Sequence, residues 1–333
     1  MFMTGKIFQD RPALGAWISY GLGTENSSLP GYVVLRDPSG YNTSGTLTWT
    51  NGWLPAQHRG TEFSSSGTPV LNLKSSIPVS ANEQRNNLDF LSKLNRIHQR
   101  RLPGETELEA RIQNYELAAR MQLAAADVLD ISKETAATGK LYGLDNKTTE
   151  PYGRRCLMAR KLVEAGVSFV TISVPGGVKA MGAPGWDDHA INIDLPTIMR
   201  HRLPVYDQVV TTLINDIYDR GLDKRVLLIA AGEFGRTPKG NLATGTTTKK
   251  LQWGREHWPG AQSILISGGG FRMGQVIGST DRHAAYPVKR PIDPQDLMAT
   301  IYKHLGIDLA THFPDSSGRP VAITTGTPIK ELV

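Results

Sequence analysis

From residue 151 onward the chain repeats one pattern: a helix-length amphipathic stretch, a turn signal, then a short β-branched or aliphatic run. Pro151 suits a helix start and Gly166 its end, because proline presets φ in a first turn and glycine tolerates the left-handed residue after a last one. Val167-Ser168-Phe169-Val170-Thr171-Ile172-Ser173-Val174 follows and reads as a buried strand. Asp194 and Pro196 open the next helix, which Pro204 must interrupt or restart. Tyr206, Val210, Leu213 and Ile217 continue it to Gly221. Val226-Leu227-Leu228-Ile229-Ala230-Ala231 is a second apolar strand and Ser263-Ile264-Leu265-Ile266 a third. Asp293-Pro294 opens a final helix carrying Leu297, Ile301 and Leu305, closed by Gly306. Strands that alternate with helices are joined by crossovers, which give parallel pairing with helices on the faces. The expected fold is α/β: a mostly parallel central sheet flanked by helices, with the αβ core over 151–310.

The first half has a different texture. Residues 1–80 are rich in Gly, Ser, Thr, Asn and Pro, with Gly31-Tyr32-Val33-Val34-Leu35 as a short apolar run. Irregular structure over a core, with one or two buried strands, is expected there. Ser80 and Glu83 fit a capping box. Leu88, Leu91, Leu94 and Phe90, Leu94, Ile97 follow at helical spacings, and Pro103-Gly104 breaks the pattern. Leu108, Ile112, Tyr115 and Ala119 then recur every three or four residues. Residues 80–138 are expected to form a helical hairpin.

Composition narrows the function. The chain of 333 residues is 39% hydrophobic, enough to bury a core. Its one cysteine, Cys156, excludes an internal disulfide and a cysteine-built metal site. No apolar run approaches the roughly 18 residues of a membrane span. Net charge is +6, and no basic stripe is interleaved with aromatics. That balance favours anionic small molecules or surfaces over nucleic acid. The opening Met1-Phe2-Met3-Thr4-Gly5-Lys6 has no signal-peptide hydrophobic region and reads like the middle of a domain.

In α/β folds ligands sit beyond the carboxyl ends of the strands. The first apolar strand runs into Pro175-Gly176-Gly177 and then Trp186-Asp187-Asp188-His189. In an extended segment Asp187 and His189 point to one side and can share a cation; the alternative is a loop in which Asp188 caps a helix and His189 is solvated. The second strand runs into Gly232-Glu233-Phe234-Gly235-Arg236-Thr237-Pro238. Glu233 at a strand mouth needs a partner, either a metal or Arg236 in a structural ion pair. Gly254-Arg255-Glu256-His257-Trp258-Pro259-Gly260 supplies His257, as a fourth ligand or as part of a packed loop. A cation held there would polarise an oxygen and lower the pKa of bound water. Arg236 and Arg255 can hold an anionic oxygen in forked geometry. A Gly-x-Ser-x-Gly elbow and a P-loop are both absent from the sequence.

These blocks, with Arg11-Pro12-Ala13-Leu14-Gly15-Ala16-Trp17 and Gly278-Ser279-Thr280-Asp281, resemble the domain-of-unknown-function 1501 (DUF1501) proteins along nearly the whole chain. The Gly-Glu-Phe-Gly-Arg-Thr-Pro string is the most specific piece. The resemblance implies the alkaline phosphatase and sulfatase superfamily, whose three-layer sandwich uses a metal-assisted Ser, Thr or formylglycine nucleophile on phosphate or sulfate esters. It further implies exported bacterial proteins, periplasmic or secreted, although this chain shows no export signal. On that footing residues 1–333 form one domain lacking an N-terminal part, which would hold the export signal, the first strand and the nucleophile region. Glu233-Phe234 stands where the superfamily has an Asp-His ligand step. The implied metal ligands are Asp187, His189, Glu233 and His257, holding a divalent ion (Zn, Ca, Mg or Mn). Arg236 is the implied catalytic residue, orienting the anion or Glu233, and Arg255 the substrate-binding one. The implied activity is hydrolysis of anionic small-molecule or polysaccharide esters; the alternative is a non-catalytic binding or assembly protein on the same fold.

Overall fold

A computed structural model describes residues 4, 11–37, 45–66, 70, 79–102, 106–174 and 185–333, with the side chains of 81, 106–107 and 122–127 outside that set. The breaks expected at Pro103-Gly104 and Pro175-Gly176-Gly177, and all of the opening Met1–Lys6 but Thr4, lie outside the described residues. The helices are α1 (Leu14–Leu22), α2 (Ala81–Arg101), α3 (Thr106–Val128), α4 (Ala136–Leu141), α5 (Glu150–Glu164), α6 (Leu195–Asp219) and α7 (Pro294–His304). The strands are β1 (Tyr32–Arg36), β2 (Thr61–Ser64), β3 (Phe169–Ile172), β4 (Leu227–Ala230), β5 (Gly235–Arg236), β6 (Asn241–Thr244), β7 (Leu251–Gly254), β8 (His257–Trp258), β9 (Leu265–Gly268), β10 (Ser279–Thr280), β11 (Pro287–Lys289), β12 (His312–Pro314) and β13 (Pro320–Ala322). They belong to two compact units, one of residues 9–135 and 157–173, the other of residues 1–8, 136–156 and 174–333.

The first unit is built on a parallel sheet of order β2-β1-β3, with Val33 opposite Thr61 on one side and Val170 on the other. β1 is central, with both edges paired, and packing covers both faces, so Tyr32, Val33, Val34 and Leu35 are all buried. Val33 and Leu35 pack with Leu29, Phe63, Met158, Leu162 and Val167. Their neighbours along the strand, Tyr32 and Val34, pack with Trp49 and Phe169 on the opposite face, as the two-residue period requires. α1 approaches this sheet through Gly15, where a Cβ would stand 2.6 Å from both Phe169 Cδ1 and Tyr32 Cζ. Of the one or two buried strands expected before residue 80, β1 is buried, and β2 is half-buried with Phe63 inside. Ser80 caps α2 in the expected capping box, accepting from the Glu83 amide while the Glu83 carboxylate accepts from the Ser80 amide.

In the second unit the strand pairing differs from expectation. The runs at 226–231 and 263–266 become β4 and β9, paired antiparallel with Leu228 opposite Ser267. The mixed α/β class and a three-stranded parallel sheet are present, but the second and third apolar runs do not extend that sheet in parallel register. The reason lies between them. Residues 231–264 form only short hairpin strands, with no crossover helix, and parallel pairing needs a crossover. α6 also differs, running without a break through Pro204. Buried residues on both sides of the proline, Ile198, Arg202, Val209, Leu213 and Ile217, hold the helix across the missing hydrogen bond. α7 lies where its signals put it. Asp293 and Asp296 form a capping box, Pro294 sits in the first turn, and Leu297, Met298 and Ile301 are buried.

Two hairpins and one close approach position the site. β6 pairs antiparallel with β7, and β5 with β8, setting Arg236 opposite His257. The segment leading into α6 lies directly on β7. A Cβ on Gly254 would come 2.2 Å from the Ala190 nitrogen, so only glycine admits the contact. The Gln252 side chain donates to Ala190 O (2.9 Å), the Thr246 amide to Ile191 O (2.8 Å) and the Trp253 amide to Asp194 Oδ1 (3.1 Å).

Candidate metal centre

Asp194 is the N-cap of α6, accepting from the Thr197 amide at 3.2 Å, with Pro196 in the first turn. That cap fixes where the preceding residues enter the helix. Asp188 turns inward, almost fully buried, onto the equally buried Arg202 guanidinium of α6. Arg202 also lies over the Trp186 ring, 5.4 Å from its centroid. Asp188 is thus an anchor with an internal partner, not a helix cap. Its neighbours Asp187 and His189 share the other side.

There they meet His257 from β8. Asp187 Oδ1 is 3.0 Å from His189 Nε2 and 2.6 Å from His257 Nε2, and the two imidazole Nε2 atoms are 3.2 Å apart. Each residue offers one ligand atom, and the three lie within 4.8 Å of one another, the one such group among the described residues. Asp187 and His257 are well exposed, with side chains 64% and 45% accessible, and His189 is half-buried at 19%. The triad is therefore open to solvent and to small ions. Zinc ligands at about 2.0–2.1 Å from the ion stand about 3.3 Å apart in a tetrahedron; two of these spacings, 3.2 and 3.0 Å, lie near that value, and the 2.6 Å Asp187–His257 contact would have to open to admit an ion.

A further carboxylate decides how His189 presents itself. Glu256 accepts a hydrogen bond from His189 Nδ1. Glu256 is itself held: its amide donates to Thr237 Oγ1 (3.0 Å) and its Oε1 accepts from Asn241 Nδ2 (3.3 Å). With the Nδ1 proton engaged, the Nε2 lone pair of His189 faces the Asp187 carboxylate and the second imidazole. Acceptors facing acceptors repel. A cation at their centre resolves the conflict, and two imidazoles with one carboxylate suit a zinc-like ion. The hydrogen bond from His257 holds the Asp187 carboxyl below the usual carboxylate range despite some burial. The Glu256 carboxyl is lowered chiefly by His189.

The other expected site residues lie around this triad in different parts. Glu233 is exposed, in the bend after β4, and does not belong to the group. The ring of its neighbour Phe234 meets His257 instead, 4.4 Å between centroids. Arg236 on β5 donates to Trp186 O (2.7 Å), Asp188 O (2.9 Å), Arg255 O (3.3 Å) and Asp187 Oδ1 (3.4 Å). Arg255 donates to Thr237 O and to Arg236 O (2.9 Å for the latter). Both guanidinium forks brace the backbone around the triad, and of the two Arg236 also touches a triad side chain, Asp187. Glu256 had no role in the sequence reading. Its partner stands 67 residues away, and the two meet where the segment before α6 lies on β7 at the Gly254–Ala190 contact.

No curated protein and no solved structure matches the chain. A family model described as "Protein of unknown function (DUF1501)" matches residues 1–333. With the match running from end to end, the chain belongs to the DUF1501 family.

Proposed function

We propose that Asp187, His189 and His257 hold a divalent cation and that the protein is a metal-dependent hydrolase of anionic esters, phosphate or sulfate. The observation that carries this reading is the convergence of one carboxylate oxygen and two imidazole nitrogens from segments 70 residues apart onto one exposed point. Bound there, the ion would polarise an ester oxygen and lower the pKa of a water molecule. The chain's own residues do the rest. Glu256 keeps the His189 proton on Nδ1, so that Nε2 serves as ligand. The Asp188–Arg202 pair and the Arg236 contacts hold Trp186–His189 in place from below and from the side. Three protein ligands leave a coordination position for substrate or water, as in catalytic rather than structural zinc sites. The net charge of +6 favours the approach of an anion.

A second reading, a metal-binding protein without turnover, is favoured by one observation. Arg236 and Arg255 direct their forks at backbone carbonyls, which leaves them unavailable to grip an ester anion in this conformation. The test is steady-state turnover of p-nitrophenyl phosphate and p-nitrophenyl sulfate by zinc-, manganese- and calcium-loaded protein. Turnover that disappears with chelator and in H257A supports the hydrolase. Metal bound at the triad with no turnover of either ester gives the second reading.

A further inference from the structure

An apolar surface that the candidate site does not explain lies on α2. This helix faces α3 with its half-buried side: Leu88, Ser92, Asn95 and Gln99 point that way, and Gln99 donates to Glu109 of α3. Phe90, Leu94 and Ile97 lie on the opposite side, 65%, 50% and 47% exposed. An amphipathic helix ordinarily turns its apolar stripe to its neighbour. Here the stripe is turned away from the neighbour and toward solvent.

The stripe has a regular extent. Glu83, Asn87, Phe90, Leu94, Ile97 and Arg101 follow one another at alternating spacings of four and three, the repeat of a coiled-coil seam. It has an acidic end, an apolar middle and a basic end. That order is self-complementary in one orientation only. If a second copy of the helix runs antiparallel with its Leu94 opposite Phe90, its Ile97 falls opposite Asn87 and its Arg101 opposite Glu83. A two-fold axis then repeats each pair, as an isologous interface requires. A parallel pairing would set Glu83 on Glu83 and Arg101 on Arg101.

We propose that a second copy of this chain docks here, α2 against α2 and antiparallel, closing a dimer through Phe90, Leu94 and Ile97 with Glu83–Arg101 pairs at both ends. The inference stands apart from the metal site and survives or fails without it.

The experiment is sedimentation velocity on the full chain from about 1 to 100 µM, a range suited to a small interface. A concentration-dependent dimer is expected, and L94E should weaken it by at least ten-fold. E83R and R101E, each alone, should be monomeric, because both ends of either homodimer carry like charges. Mixed in equal amounts they should form a heterodimer, since each Arg then faces a Glu. Ser80 still accepts from the residue-83 amide in E83R, and circular dichroism checks that the helix is kept. A monomer throughout, a dimer indifferent to L94E, or no association on mixing the two charge variants would each overturn the proposal.

Discussion

The tightest constraints in the candidate site sit on single residues that the solvent hardly reaches. Asp188 and Arg202 are 1% and 3% exposed and contact one another. Removing one partner of a buried ion pair leaves the other charge unsatisfied, which costs about 3–5 kcal/mol. D188A should therefore lower stability by that order in urea unfolding and weaken metal binding as well, since Asp187 and His189 flank the lost anchor. Glu256 offers a gentler probe. E256Q keeps the shape and removes the charge that orients His189, and such changes around a metal ligand cost about 10–100-fold in affinity. Zinc titration calorimetry should show that loss with little change in unfolding midpoint. At this scale the sequence was partly legible. Asp187 and His189 were readable because two residues of spacing place them on one side, and His257 because it stands in a polar cluster. Glu233 was not, since residue type cannot say whether its carboxylate or the adjacent Phe234 ring will meet His257.

Among the elements, the segment around Glu134 ties the end of the helical region to α5. Glu134 lies 2.9 Å from Arg160 and 3.5 Å from Lys161, and Arg160 also pairs with Glu164 at 2.7 Å. Burial alone would push the Glu134 carboxyl up; the hydrogen bond and charge of Arg160, with Lys161, outweigh it and hold it below the usual range. The folded state thus prefers the charged form. Its contribution is complete above the ordinary glutamate pKa and is lost as pH falls through the lower, folded value. Thermal midpoints measured across pH 2–6 should fall below about pH 4, and E134Q should flatten that part of the profile. Helix ends were the most legible elements, because Ser80, Asp194 and Asp293 act locally through caps. Strand pairing was not. β4 and β9 have the composition of buried parallel strands, and only the absence of a helix between them reverses one against the other. Pro204 misled for a related reason: tertiary packing of α6 on both sides outweighed a local break signal.

For the molecule as a whole, the α/β class followed from periodicity, and membership of the DUF1501 family from motifs spread over the chain. The candidate centre follows from neither alone. It arises where the approach to α6, the β5–β8 pair and the Gly254 contact bring distant residues to one point. The central claim is that this point holds a metal. The most direct measurement is metal content per chain after loading with zinc and gel filtration, on wild type, D187A, H189A and H257A. About one ion per chain is predicted for wild type and almost none for each variant, with affinity reduced at least about 100-fold when a ligand is lost. Wild-type protein that retains no ion, or variants that retain it fully, would contradict the account.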